Sequence, residues 1–127
     1  KQVGHPSLQA DGIVPVPIQN SKLRKRGYNQ SEVFAEGLAE SLKIPLQSHV
    51  LAKEPGVKTQ VGKGREARFA NLSRAIKITE KTTDIQGKYI LLVDDVLTSG
   101  ATIVACAEKL LEAGAGKVGV VTLARKH

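Results

Sequence analysis

The sequence predicts an α/β domain: a twisted, mainly parallel sheet with helices on both faces. Three observations lead there. Strand-like and helix-like apolar patterns alternate along the chain, the order that produces parallel strands joined by crossover helices. The run Tyr89 to Val93 (YILLV) is apolar without interruption, as a strand covered on both faces requires. The length of 127 residues suits a single domain, residues 1–127, with one sizeable core.

Each element has its own signal. Ile13 to Pro17 (IVPVP) reads as the first strand, and only its first half is expected to pair, because Pro15 and Pro17 donate no ladder hydrogen bond. A helix follows the basic stretch Lys22 to Arg26, with Ser31 as its expected cap. Phe34, Leu38 and Leu42 repeat at four-residue spacing, flanked by Ala35 and Ala39, and Pro45 lies beyond the end. Ser48 to Leu51 and Ala75 to Ile78 read as short strands. Between them, Lys53 to Arg68 holds three Gly and five Lys/Arg and few apolar side chains, the composition of a long functional or disordered loop. Gln86-Gly87-Lys88 is a turn. Thr102 to Glu112 is the clearest helix, with Ile103, Ala107, Leu110 and Leu111 forming its core stripe. Gly114 ends it, and Val118 to Leu123 is the last strand.

Composition bounds the function. Aromatics make up 3% of the chain, which argues against base stacking on aromatic platforms as the main binding mode. The net charge of +7 fits a solvated basic surface, a phosphorylated ligand or nucleic acid, and charge alone does not separate the three. Cys106 is the single cysteine, so no intramolecular disulfide forms, and it falls in an apolar helical stretch as a small core residue. A reducing, cytoplasmic location is the expectation; no apolar run approaches a membrane span and no signal peptide is visible. The absence of Met, with Lys1 first, reads as a portion of a longer protein. His5, His49 and His127 share no ligand spacing, and no Ser-His-Asp or Cys-His arrangement suggests covalent catalysis.

The informative segment is Val93 to Thr102 (VDDVLTSGAT). A buried strand delivers two adjacent carboxylates, a Thr/Ser/Gly turn follows, and a helix begins. Amides at a helix N-terminus lack intrahelical acceptors and, with the helix dipole, attract an anion. The carboxylates suit vicinal hydroxyls or a metal ion. A magnesium-holding strand of a P-loop NTPase would need a GxxxxGK[ST] loop, and Gly114-Ala115-Gly116-Lys117 is too short and misplaced. The acidic pocket of a receiver domain sits at the end of the first strand, whereas only 32 residues follow Asp95 here.

Residues 91–102 match [LIV]-[LIV]-V-D-D-V-x-T-[ST]-G-[AS]-T throughout, and so resemble the 5-phosphoribosyl-1-pyrophosphate (PRPP) signature of type I phosphoribosyltransferases. Arg24-Lys25-Arg26-Gly27-Tyr28-Asn29-Gln30 after the first strand resembles the pyrophosphate loop of adenine phosphoribosyltransferases. The order VPVP, RxRG[FY]NQ, then Thr59-Gln60, Arg65, Arg68 and Asn71 resembles the ComF/GntX family, associated with DNA uptake in competent bacteria, with Thr59 and Gln60 adjacent where the family's TxxQ stretch has two residues between. The resemblance covers roughly Ile13 to Arg125. Members commonly carry an upstream cysteine-rich zinc ribbon; this sequence has no CxxC pair, as expected either of a member whose ribbon has been removed or of a ribbonless one, so no ribbon function carries over.

The resemblance implies a type I phosphoribosyltransferase fold with a flexible basic loop and a minimal hood. It implies that Asp94 and Asp95 hold the ribose 2′- and 3′-hydroxyls. Thr98, Ser99, Gly100, Ala101 and Thr102 would wrap the 5′-phosphate, with Gly100 allowing close approach of the backbone. Arg24, Arg26, Gly27, Tyr28 and Asn29 would form the pyrophosphate loop. Breaking the C1–pyrophosphate bond passes through an oxocarbenium-like state, so Mg²⁺ entering with PRPP, and Arg26, Arg65 and Arg68 as catalytic residues aided by Lys63, would neutralise the departing diphosphate. No protein ligand for the metal is assigned beyond Asp94 and Asp95. A closing lid over the substrate suits the basic loop. The acceptor, a nucleobase or an amine, is not identified by the sequence, since no acceptor pocket is evident. Two rivals stand beside the enzyme: a PRPP- or nucleotide-binding module without turnover serving DNA-uptake proteins, and direct DNA binding through the basic face. A homodimer is implied by analogy with type I relatives only, and a membrane partner is not expected.

Overall fold

The structure, a computed structural model, describes residues 9–18, 25, 27–54, 75–79, 85–95 and 100–123. Its elements run β1 (Gly12–Pro15), α1 (Gln30–Leu42), β2 (Leu51–Lys53), β3 (Ile76–Ile78), β4 (Tyr89–Asp95), α2 (Gly100–Glu112) and β5 (Lys117–Leu123). Strands β1, β4 and β5 form a parallel sheet in the order β1-β4-β5, and β2 and β3 form a separate antiparallel pair.

The central strand is the one whose sequence is most apolar. Ile90, Leu91, Leu92 and Val93 are all essentially inaccessible to solvent. Strand alternation sends them to opposite faces. Ile90 and Leu92 join Cys106 and Leu110 of α2, together with Leu51 and Ile76 of the hairpin, in one core. Leu91 and Val93 join Ile13 and Ala35 in a second core, sealed by Phe34, Leu38 and Leu42 of α1. The sheet is therefore covered on both faces. No described helix is long and apolar enough to cross a membrane.

Strand β1 pairs with β4 through all four of its residues, from Gly12 opposite Ile90 to Pro15 opposite Val93, and the Val16 amide still donates to the Val93 carbonyl at 2.8 Å. The strand thus starts pairing earlier and reaches further than the expected first half of Ile13 to Pro17. Its far edge meets the segment after α1, where the Gln47 amide donates to the Ile13 carbonyl at 2.8 Å. Helix α1 ends with Lys43 in the left-handed region (φ 59°), its amide returning to the Ala39 carbonyl. Two residues past the end of α2, Gly114 turns the chain with a φ of 112° that a side chain would resist.

Several sequence expectations are corrected. The cap of α1 is Asn29, two residues before Ser31: its extended backbone and side-chain oxygen, which accepts from the Ser31 amide, meet the geometry a cap needs. The strand expected over Ser48 to Leu51 forms instead at Leu51–Lys53, where Leu51 finds Ile78 as its cross-strand partner. Helix α2 starts at Gly100 rather than Thr102. Leu111 leaves the expected core stripe and is 49% exposed, because α2 turns Thr102, Ala105, Cys106 and Leu110 inward.

Candidate functional site

Both long helices begin at the carboxyl end of the parallel sheet, because each follows a strand of that sheet. That edge is where open parallel sheets place their ligands. β4 ends there with Asp94 and Asp95, and Gly100 opens α2 five residues after Asp95. The first turn of α2 contains no acidic residue, whereas α1 carries Glu32 in its own. The amides entering α2 thus face no negative side chain of their own turn, the arrangement that best preserves their pull on an anion.

Asp94 is fully buried. The hydroxyl of Ser31, itself 3% exposed, lies 3.5 Å from Asp94 Oδ1 and donates to it. A carboxylate withdrawn from water is costly unless hydrogen-bonded, so this contact falls where burial demands one. Asp95 closes β4 opposite Leu123. Behind Asp94 lies Cys106 of α2. Burial pushes its thiol up to about 12, the negative charge of Asp94 pushes the same way, and the positive charge of Lys53 opposes them. Lys53 ends β2, in register with the buried Ile76, and so brings a cation from the hairpin toward the same corner of the fold.

The loop before α1 approaches from β1. Asn29 Nδ2 donates to the Val16 carbonyl at 3.1 Å, and Asn29 Oδ1 accepts from the Ser31 amide at 3.0 Å. Asn29 therefore serves the backbone at both ends of its amide group. Gly27 has φ 91°, a conformation that explains glycine in the Arg-Gly-Tyr sequence. Tyr28 is 49% exposed, an aromatic ring presented to solvent beside the site.

Of the phosphate-turn residues expected from the sequence, Gly100 is exposed, Ala101 half-buried and Thr102 buried on the inner side of α2. A Cβ built on Gly100 meets no described atom within 4 Å, so no described neighbour requires glycine there. Thr98 and Ser99 lie outside the described residues, as do Arg24, Arg26, Thr59, Gln60, Lys63, Arg65, Arg68 and Asn71. The structure thus links Asn29 and Ser31 at the start of α1 to Asp94 and sets Cys106 of α2 near it, while Asp95 and Gly100 follow Asp94 along the chain. Sequence reasoning missed Ser31 as a partner of Asp94 and Lys53 as a neighbouring cation. A serine in the first turn of a helix reads locally as a cap, and nothing in its surroundings points 63 residues ahead.

The phosphoribosyl transferase domain model matches residues 29–127, and the chain belongs to that family. Within it the likeness is to competence-type members. The chain is 30% identical over 115 residues to Competence protein F of Haemophilus influenzae, covering 91% of this chain and 50% of that protein. It is 37% identical over 114 residues to Competence protein ComFC of Bacillus subtilis (89% and 44%), and 32% identical over 115 residues to DNA utilization protein YhgH of Escherichia coli K12 (91% and 49%). The chain spans about half the length of the curated relatives it matches. Among solved structures, the purine phosphoribosyltransferase from Pyrococcus horikoshii superposes with a TM-score of 0.58 at 20% identity, covering 92% of this chain and 63% of that one. A hypoxanthine phosphoribosyltransferase from Staphylococcus aureus superposes at 0.53 with 18% identity, covering 93% and 54%. The fold is that of the type I phosphoribosyltransferases, as the sequence resemblance implies.

Proposed function

We propose that the protein binds Mg-PRPP at the carboxyl end of β4 and transfers its 5-phosphoribosyl group to an acceptor nucleobase or amine, releasing pyrophosphate, in the service of DNA uptake or use. The observation that carries this reading is the direct succession of two carboxylates and a helix N-terminus free of acidic side chains in its first turn. A phosphorylated pentose presents a diol and a dianion within one small molecule, and those two surfaces complement them. The names of the competence and DNA-utilization relatives support the cellular setting.

Asp95 accepts hydrogen bonds from the ribose hydroxyls, with Asp94 beside it. Thr98, Ser99 and the amides of Gly100 to Thr102 receive the 5′-phosphate. Arg24 and Arg26, with Tyr28 beside them, face the diphosphate, and Arg65 and Arg68 add positive charge as it departs. Carboxylate oxygens are the hard donors Mg²⁺ prefers, and Mg²⁺ characteristically uses one or two of them together with substrate phosphates. The donor set therefore suits a metal that arrives with PRPP, which Asp94 and Asp95 would help to hold. Bound there, the metal supplies charge neutralisation of the leaving diphosphate.

The test is pyrophosphate release from Mg-PRPP across a panel of nucleobases and amines. Release that depends on one acceptor class supports transfer. Tight binding of Mg-PRPP without release for any acceptor favours a binding module instead. Affinity for DNA that falls steeply with salt, without PRPP binding, favours the basic-face reading.

A further inference from the structure

We propose that Ser31 is a positioning residue for this site, holding Asp94 in place and thereby joining the turn before α1 to the acidic end of β4; the inference rests on the PRPP reading above. Three hydrogen bonds run in succession from one segment to the other. Asn29 Nδ2 donates to the Val16 carbonyl at 3.1 Å, the Ser31 amide donates to Asn29 Oδ1 at 3.0 Å, and Ser31 Oγ donates to Asp94 Oδ1 at 3.5 Å. The end of β1, the cap of α1 and the acid of β4 are thus linked through side chains separated by up to 78 positions in sequence (Val16 to Asp94).

The placement explains why a hydroxyl stands where a helix of this kind would accept alanine. Ser31 is 3% exposed and Asp94 0%, so the contact between them is buried among the described residues. At 3.5 Å the contact is long for a hydroxyl on a carboxylate, and its weight comes from the buried, low-dielectric surroundings. Ser31 also belongs to the first turn of α1, whose positive end adds to the attraction. Fixing Asp94 fixes the backbone from which Asp95 and the turn into α2 depart. On the other side, Asn29 fixes the exit of the Gly27-Tyr28 turn. Ser31 touches no ligand in this account. Its effect passes through Asp94.

Calorimetric titration of Mg-PRPP into the wild type, S31A, S31T, D94N and the S31A/D94N double variant tests this, with the melting temperature of each recorded. Loss of one hydrogen bond to a charged group predicts about tenfold weaker binding for S31A, with S31T recovering most of it. If Ser31 acts through Asp94, adding S31A to D94N brings no further loss. The proposal is overturned, with the PRPP reading intact, if the wild type binds and S31A binds equally well, or if the two losses multiply in the double variant. A wild type that takes up no Mg-PRPP overturns the reading and the proposal with it. Should D94N fail to fold, S31T against S31A at matched melting temperatures decides: equal weakening of the two overturns the proposal.

Discussion

Asn29 Nδ2 and the Val16 carbonyl, 3.1 Å apart, pin the entrance of α1 to the exit of β1. The same side chain caps the helix through its oxygen. One residue therefore sets both where α1 begins and how the preceding turn leaves the sheet. Asn29→Ala is expected to cost about 1 kcal/mol of stability, the usual value of a lost cap, and more if the Val16 contact adds to it. Urea unfolding followed by circular dichroism measures it. A midpoint equal to the wild type's would contradict the capping role.

Asp95→Asn removes a charge from the end of β4 while leaving its length unchanged. Weaker Mg-PRPP binding is expected, by about tenfold or more if the carboxylate accepts from two hydroxyls. The same affinity as wild type would remove Asp95 from the ribose site.

Arg26→Ala separates binding from chemistry. An interaction that strengthens as the diphosphate departs is realised in the transition state, so kcat should fall by a larger factor than KM rises. Steady-state pyrophosphate release with whichever acceptor the nucleobase and amine panel yields gives both. A change confined to KM would make Arg26 a binding group only.

Leu92 lies in the central strand with no exposed surface and packs into the core shared with Cys106 and Leu110. Leu92→Ala should destabilise the protein by about 3 kcal/mol through lost burial and the cavity left behind. Guanidinium unfolding tests this; a loss under about 1 kcal/mol would mean that this core is far looser than its burial implies.

The strongest features of the fold were legible from local pattern. The unbroken Tyr89–Val93 run became the central strand because only a strand covered on both faces tolerates it. The prolines of the first strand foretold less: Pro15 pairs with Val93, and the Val16 amide between the two prolines still bonds the Val93 carbonyl. What escaped was decided by partners distant in sequence. Ser31 is an N-terminal serine by local rules, yet Asn29 takes the cap and leaves the hydroxyl for Asp94. Leu111 fits the helical stripe, but the arc of α2 facing the sheet and hairpin is set by Ala105 and Cys106, and Leu111 falls beyond it. A three-residue strand such as β2 has too few side chains to declare its register, which β3 supplies. At the site, the acids and the helix start were readable as a contiguous motif. The approach of Lys53 was not, because it depends on the hairpin.

Cys106 predicts an alkaline effect. Its thiol is raised from its ordinary value of 9.0 to about 12, chiefly by burial, with Asp94 adding to the rise. The native state keeps this proton while the unfolded chain releases it, so the contribution is complete below pH 9.0 and is lost progressively as pH rises toward about 12. Unfolding midpoints between pH 8 and pH 11 should fall more steeply for the wild type than for Cys106→Ala. Parallel slopes would contradict the assignment. Alkylation of the native thiol by iodoacetamide at neutral pH should be far slower than in the unfolded chain.

Calorimetric titration of Mg-PRPP into the wild-type protein tests the central claim most directly, with inorganic pyrophosphate as competitor. The proposed role of the carboxylates and the helix start predicts saturable binding of one molecule per chain, weakened by pyrophosphate. Absence of saturable heat, with the protein folded by circular dichroism, would contradict the account.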